Sequence, residues 1–378
     1  MQILEGSSDK NDAHDAVCEA IEPWADDVSP DILFVFHSSQ QNPHIVAATL
    51  SERFPDSLIV GCTTAGEWLS GQHKNNALVL SALSTSDIRW SISLIEDLNK
   101  EASESANKVC DELLQQLDLN KDELKPDKHF CLSFFDGLSA REEPIIAAMA
   151  NALGHIPLLG GSAADDLKFD HTYIIANGKA YQHTALFILA ESKLPFHAIK
   201  HQHYIATDIS VVITKADVDK RLVYRLDGMP AADRYAQLLG LEVEALTPQI
   251  FSDNPLTYPY GDECYMRALR RVCSDNSLEF GCAIEEGMVL NLCEHQNMLG
   301  AYDHLMDELK QHTEKAALLL IFNCIYRALE GSNTDINQLL ADKTMAVADH
   351  VIGFDTYGEQ WQGLHINQTL VALALGSK

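Results

Sequence analysis

The densest group of chemistry-bearing side chains in this chain is His197-Ala-Ile-Lys200-His201-Gln-His203-Tyr204. Imidazoles two residues apart on a strand point the same way, so His201 and His203 could share a zinc ion, with His197 or a cysteine adding a ligand. An exposed polar connector is the competing reading. His37, closing an apolar run, and His365, near the C-terminus, are separate candidates. Cys264, Cys273, Cys282 and Cys293 are also dense, but the C-x-x-C spacing of a metal cluster is absent, and buried small hydrophobes explain them. Ser139 lies between an apolar run and a helical stretch, the order of a nucleophile elbow, which makes a serine hydrolase one alternative. Arg141 stands where the elbow needs glycine, and Ser139-Ala-Arg-Glu142 fits a capping box with Pro144 just beyond the first turn, so no enzyme is expected.

Three glycine-rich turns supply a different chemistry. They are Gly61-Cys-Thr-Thr-Ala-Gly-Glu67, Gly160-Gly-Ser-Ala-Ala-Asp-Asp166 and Gly353-Phe-Asp-Thr-Tyr-Gly-Glu359. Backbone amides at Gly61, Gly160 and Gly161, with Thr63, Thr64, Ser162 and Asn367, could hydrogen-bond a small molecule, and Glu67, Asp165 and Glu359 read as ligand or cap contacts. The same residues also suit plain turns. Each turn ends a strand–helix–strand stretch and is followed by another apolar run, at Ala77–Leu83, Thr184–Ala190 and Thr369–Ala374. Such repetition predicts an assembly of related layers. Strands Asp31–Phe36 and His129–Phe135 are expected in one sheet of an N-terminal module, the third unit in a C-terminal one, and the turns on a common side.

These units set the expected class: α/β, two associated modules with helices packed on mixed sheets. Residues 1–30 read as a helical lead-in, 31–205 as the first domain and 206–378 as the second, with a boundary near Leu194–Thr207. Periodicity predicts helices over Gln41–Phe54, Arg141–Leu153, Glu101–Leu117, His304–Leu309 and Asn333–Leu340, and one carrying Ala231, Tyr235 and Leu238. Alternation predicts strands at Ile88–Leu94, 209–214 and 221–226, and further strand-like runs lie at 265–272, 278–284 and 288–293. With 27 basic against 55 acidic side chains the formal charge is −28, which repels nucleic acid and anionic membranes. No run approaches the roughly 20 apolar residues of a membrane span. An N-terminus without a signal core and nine unpaired-looking cysteines suggest the cytoplasm.

Taken together, the Gly61–Glu67 and Gly160–Asp166 motifs, Leu226-Asp-Gly-Met-Pro-Ala231 with Tyr235, Gly353–Glu359, and His365-Ile-Asn-Gln-Thr369 resemble the FIST family of sensory signal-transduction proteins. The resemblance covers Asp31 to Leu375. His201–Tyr204, Arg221, Cys282–Gly287 and Cys324 look most like its stand-alone members, a branch that includes the nitric-oxide-sensing haemoproteins (NosP). That likeness implies haem, nitric oxide sensing and regulation of a partner histidine kinase in a two-component system. His203 would then be the first candidate for the haem iron, with His201, His37 and His365 competing, Lys200 near a propionate and Tyr204 flanking the porphyrin. A FIST sensor of a metabolite such as an amino acid, without haem, is the alternative.

Overall fold

The computed structural model describes residues 1–260, 263–312, 315–332 and 335–376. Its plan is one α/β unit used three times. In the first unit, Ile32–Ser38 is buried along its whole length because both faces are covered. Phe34 and Phe36 point into a central core, while Leu33 and Val35 meet helices Ala13–Ile21 and Pro43–Arg53. The second helix begins where Asn42 accepts hydrogen bonds from the His44 and Ile45 amides, with Pro43 in the first turn. Strand Leu58–Thr64 then runs parallel to Ile32–Ser38, and Leu78–Ser84 antiparallel to it. The second unit repeats this with His129–Phe135, Leu158–Ser162 and Ala185–Ser192, and the third with Ala316–Cys324, Ala348–Thr356 and Leu370–Gly376.

Each unit takes an edge strand that precedes it: Gln2–Ser8, Ile88–Ile95 and Phe196–His201 respectively. Residues 1–30 are therefore a strand followed by a helix, where a helical lead-in was expected. The sheets are completed by exchange. The hairpin Glu67–Leu69/Gln72–Lys74 of the first unit pairs with the third unit's Ala348–Thr356. That of the second, Ile174–Ala176/Lys179–Tyr181, pairs with the first unit's Leu58–Thr64. That of the third, Glu359–Trp361/Leu364–Ile366, pairs with the second unit's Leu158–Ser162. The result is three six-stranded mixed sheets closed in a ring. Asp31–Phe36 and His129–Phe135 consequently lie in different sheets, against expectation, because each unit makes its own sheet and lends only a hairpin to the next.

The inner faces meet at an aromatic centre. Phe36, Phe134 and Phe322 occupy equivalent positions in the three first strands, and Phe354 fills the space between them, 4.6 Å from Phe36 and 5.7 Å from Phe322 by ring centroids. Register aligns Phe354 with Gly161 and Cys62 of the other units. A Cβ on Gly161 would lie 2.6 Å from Thr356 Cγ2 and 3.0 Å from Phe354 Cζ, so one large side chain on the axis requires none opposite.

Residues 204–295 form a separate β layer between the third unit's edge strand, Phe196–His201, and its helix Met298–His312. Its long strand Tyr204–Asp217 pairs with Val289–His295 and Leu222–Leu226. The sequence partition at 205/206 falls inside that strand, and the third unit draws its edge strand from before it. Ala65, Ala164 and Tyr357, equivalent residues of the three glycine turns, share one apolar cluster with Leu269, Phe280 and Ile284 of this layer. The turns do open toward a common side, and the β layer caps it.

Candidate functional site

Between the capping layer and the turns lies a narrow crevice of about 20 Å³, room for little more than one water. Its walls are Leu167 and Phe169 from the loop after the second turn, Cys324 from the end of the third unit's first strand, Ile325 and Tyr326 from the helix Ile325–Gly331 that follows it, and Tyr357 and Asn367. The cap contributes Ala268, Leu269, Arg270 and Gly281. Arg270 lies across the rings of Phe169 and Tyr357, 5.4 and 6.0 Å from their centroids. It donates to the Gly137 carbonyl at 2.9 Å. Asn367 is 2% exposed, and its Oδ1 has no donor.

The loop over the crevice is held from one residue. Asp165 accepts from the amides of Phe169 at 3.0 Å, Asp170 at 2.7 Å and His171 at 3.0 Å, and from the Tyr357 hydroxyl. Within it Asp166, Leu167 and Phe169 have φ of 57°, 61° and 53°. Left-handed backbone at a leucine and a phenylalanine is costly, and surrounding contacts must over-determine it.

The junction histidines are arranged differently. His203 is buried, with Arg327 Nη1 2.6 Å from its Nδ1 and Glu330 Oε2 2.8 Å from its Nε2. Arginine only donates, so Nδ1 accepts and Nε2 carries the proton given to Glu330. Burial lowers this imidazole to about 4, opposed by the Glu330 hydrogen bond and reinforced by the Arg327 charge. His295 places Nδ1 3.0 Å from Glu330 Oε1 and donates through Nε2 to the Asp253 carbonyl at 2.6 Å; the Glu330 hydrogen bond raises its pKa. Burial pushes Glu330 up, but hydrogen bonds from His203 and His295 outweigh this and hold it at about 2. The Tyr204 hydroxyl also donates to Glu330, at 3.0 Å.

The haem implied by the resemblance does not fit His203 as it stands: both ring nitrogens are engaged, and a ligand needs a free lone pair. His365 is similarly occupied, with Nδ1 3.3 Å from Gln360 Nε2 and Nε2 3.3 Å from the Gly281 carbonyl. His37 keeps an unpartnered Nε2, but it is fully enclosed, and burial lowers it to about 4. His201 has an unpartnered Nδ1, is lowered to about 3 by burial and then by the Arg327 and His203 charges, and hydrogen-bonds the Ala301 backbone. It lines an open depression with Gln202, Gln296, Asn297, Gly300, Ala301 and His304, a polar surface rather than an apolar slot. Lys200 is paired with Glu263, and His197 stacks on His312.

Of the polar residues expected from sequence to hold a ligand, Asn367 alone lines the crevice. Thr64 donates to Glu67 at 2.5 Å, and the other Glu67 oxygen accepts from the Ala77 amide at 3.1 Å, clamping the base of the exchanged hairpin. Glu359 repeats the clamp with Thr356 and Thr369, and burial pushes its carboxyl up to about 8. Thr63 accepts from the Tyr173 amide, Ser162 from Gln360, Gly61 abuts the Val35 carbonyl, and Gly161 belongs to the aromatic centre. Ser139 does not cap its helix, which runs Glu142–Leu153. Its hydroxyl accepts from the Arg141 amide at 3.3 Å, Ala140 turns left-handed, and Glu142 is drawn away by Arg221 at 2.6 Å, so the capping box cannot close. Cys282 and Cys293 are buried, and among the described residues these thiols form no metal-spaced group.

Arg270, Phe169, Tyr326 and Tyr357 were not singled out from sequence. The signal available was Tyr357, which replaces the Ala65 and Ala164 of the other turns. Residues 31–229 match the FIST N domain and residues 231–362 the FIST C domain. An uncharacterized protein of Methanocaldococcus jannaschii is 25% identical over 339 residues, covering 82% of this chain; the chain spans 65% of that relative's length. With both domain matches in order along a ring of three sheets and its cap, the chain belongs to the FIST family.

Proposed function

We propose that this FIST protein senses a small organic ligand bound between the capping β layer and the glycine turns, and passes its state to a separate histidine kinase in the cytoplasm. FIST domains are sensory and signalling domains. The observation that carries the reading is the unpartnered Asn367 Oδ1 on a residue lining a crevice that also holds Arg270 and aromatic rings. A few convergent polar groups in an apolar cleft are what orient a small molecule. Arg270, now 3.5 Å from Glu279, suits a carboxylate that takes over that pairing, Asn367 a second polar group, and Phe169, Tyr357 and Leu269 the apolar body. The crevice admits little more than a water as it stands, so a ligand must part the two layers that wall it, and one that binds the parted spacing shifts the population a partner meets. Calorimetric titration with a panel of amino acids and other small carboxylates tests this. Saturable binding lost in Arg270→Gln and Asn367→Ala supports it; binding unchanged in both removes the crevice from the reading.

Haem-based nitric oxide sensing is the second reading, and His201 is the observation that favours it. A ring held by a backbone carbonyl with a free second nitrogen is the usual posture of a metal-binding imidazole. If haem binds, its iron supplies the nitric oxide site and His201 the protein ligand. Absorption spectra of haem-reconstituted protein, ferrous with and without nitric oxide, decide between the readings. A saturable Soret band lost in His201→Ala favours haem; weak, unsaturable association leaves the metabolite reading.

A further inference from the structure

A second histidine cluster lies outside the crevice. His197 stands on the third unit's edge strand, register-paired with Ala374. Glu308 and His312, one helical turn apart, stand on helix Met298–His312, which packs on that strand. One ligand-type atom from each of the three lies within 4.8 Å of the others. The two imidazoles stack at 3.8 Å between centroids, 15° from parallel, and His197 Nε2 is buried with no hydrogen-bond partner.

We propose that His197, Glu308 and His312 form a site for a first-row divalent metal ion of the zinc class. Two imidazoles and a carboxylate are a donor set that such ions take, and a water would complete a tetrahedron. Metal–ligand distances of about 2.0–2.2 Å put ligand atoms roughly 3.3 Å apart, so the group must draw in from within 4.8 Å and the two rings must turn out of their stack for their lone pairs to converge. Glu308 and His312 are exposed and free to turn. The contrast with His203 is instructive. There Arg327 takes the lone pair a metal would need, whereas no described arginine or lysine pairs with His197, Glu308 or His312. A formal charge of −28 also raises the local concentration of cations. The ion would join the strand that leads into the capping layer to the helix that leads out of it.

The test uses the full chain, stripped of metal and titrated with Zn2+ against a chromophoric chelator, with Co2+ absorption as a second readout. One tight ion per chain is expected. It should weaken about tenfold or more in Glu308→Gln and in His312→Gln, at least the cost of losing a supporting partner. It should be unchanged in His14→Gln, which alters the exposed Asp12–His14–Asp15 group. Zn2+ should also raise the thermal midpoint of the parent and not of His312→Gln. No stoichiometric binding, or binding unchanged when all three residues are replaced by glutamine, overturns the proposal.

Discussion

Arg327 donates to His203 Nδ1 at 2.6 Å, and this contact decides which nitrogen of the buried ring carries its proton. Glu330 on the far side then accepts from a neutral imidazole, while its ionic partner is His295. Arg327 also donates to Asn323 at 3.0 Å, which anchors the network to the end of the third unit's first strand.

Replacing Arg327 by methionine should therefore do two things. It removes two buried hydrogen bonds from a charged donor, to His203 and Asn323, which together cost on the order of 3 kcal/mol by urea unfolding. It also removes a positive charge beside His203, so the imidazole pKa, followed by NMR, should rise from about 4 toward its ordinary value. A stable variant with an unmoved His203 would mean the contact does not set the ring's state.

Burial holds His37 and His203 near 4, below the ordinary 6.5, so the unfolded chain binds protons there that the folded chain does not. Stability should rise with pH between about 4 and 6.5, each histidine contributing up to roughly 3 kcal/mol across the window. Glu330, lowered from 4.5 to about 2, adds stability that is present above 4.5 and is lost as pH falls from there toward about 2. Urea midpoints measured at pH 4.5 and 7 for parent and His37→Gln test the first claim. An equal pH dependence in both would reject it for His37.

The repeat was legible in sequence because each unit is a complete local pattern: an apolar strand, a helix such as Pro43–Arg53, and a strand ending in glycine. The helices at 102–116 and 231–239 and the strands at 78–84 and 88–95 followed from the same periodicities. For Asn333–Leu340, helix begins at Ile336, and residues 333 and 334 lie outside the described residues. Hairpin exchange was not legible, since a three-residue strand such as Gln72–Lys74 carries no apolar pattern naming its partner. Nor was the third sheet's edge, because Phe196–His201 finds Leu370–Gly376 only after the capping layer has intervened. The crevice hid for a related reason. Arg270 belongs to no motif in the sequence, and only the fold sets it over Phe169 and Tyr357.

Gly161→Ala should be poorly tolerated, since the new methyl would meet Thr356 and Phe354 at less than van der Waals distance. Overpacking of this kind costs about 1–3 kcal/mol. Adding Phe354→Leu should recover part of the loss, because a smaller side chain on the axis makes room. A double-mutant cycle by chemical denaturation reads the coupling, and strict additivity would show that the two sites do not share the space.

Asp165→Ala should loosen the loop over the crevice without unfolding the chain. The carboxylate gathers three amides and a hydroxyl, and hydrogen bonds to a charged group are each worth about 1.5–3 kcal/mol. Those bonds hold Leu167 and Phe169 left-handed, a state neither residue adopts alone. Without them the backbone should relax, Phe169 should leave Tyr357, now 5.0 Å away by ring centroids, and Arg270 should lose one of its two aromatic neighbours. Limited proteolysis should then cut within residues 166–171 faster than in the parent, while the three sheets keep their amide-exchange protection. A ligand of the crevice should slow that cleavage in the parent and much less in Asp165→Ala. Cleavage unchanged by the substitution would mean that packing of Phe169 and Leu167, rather than Asp165, sets the loop's geometry.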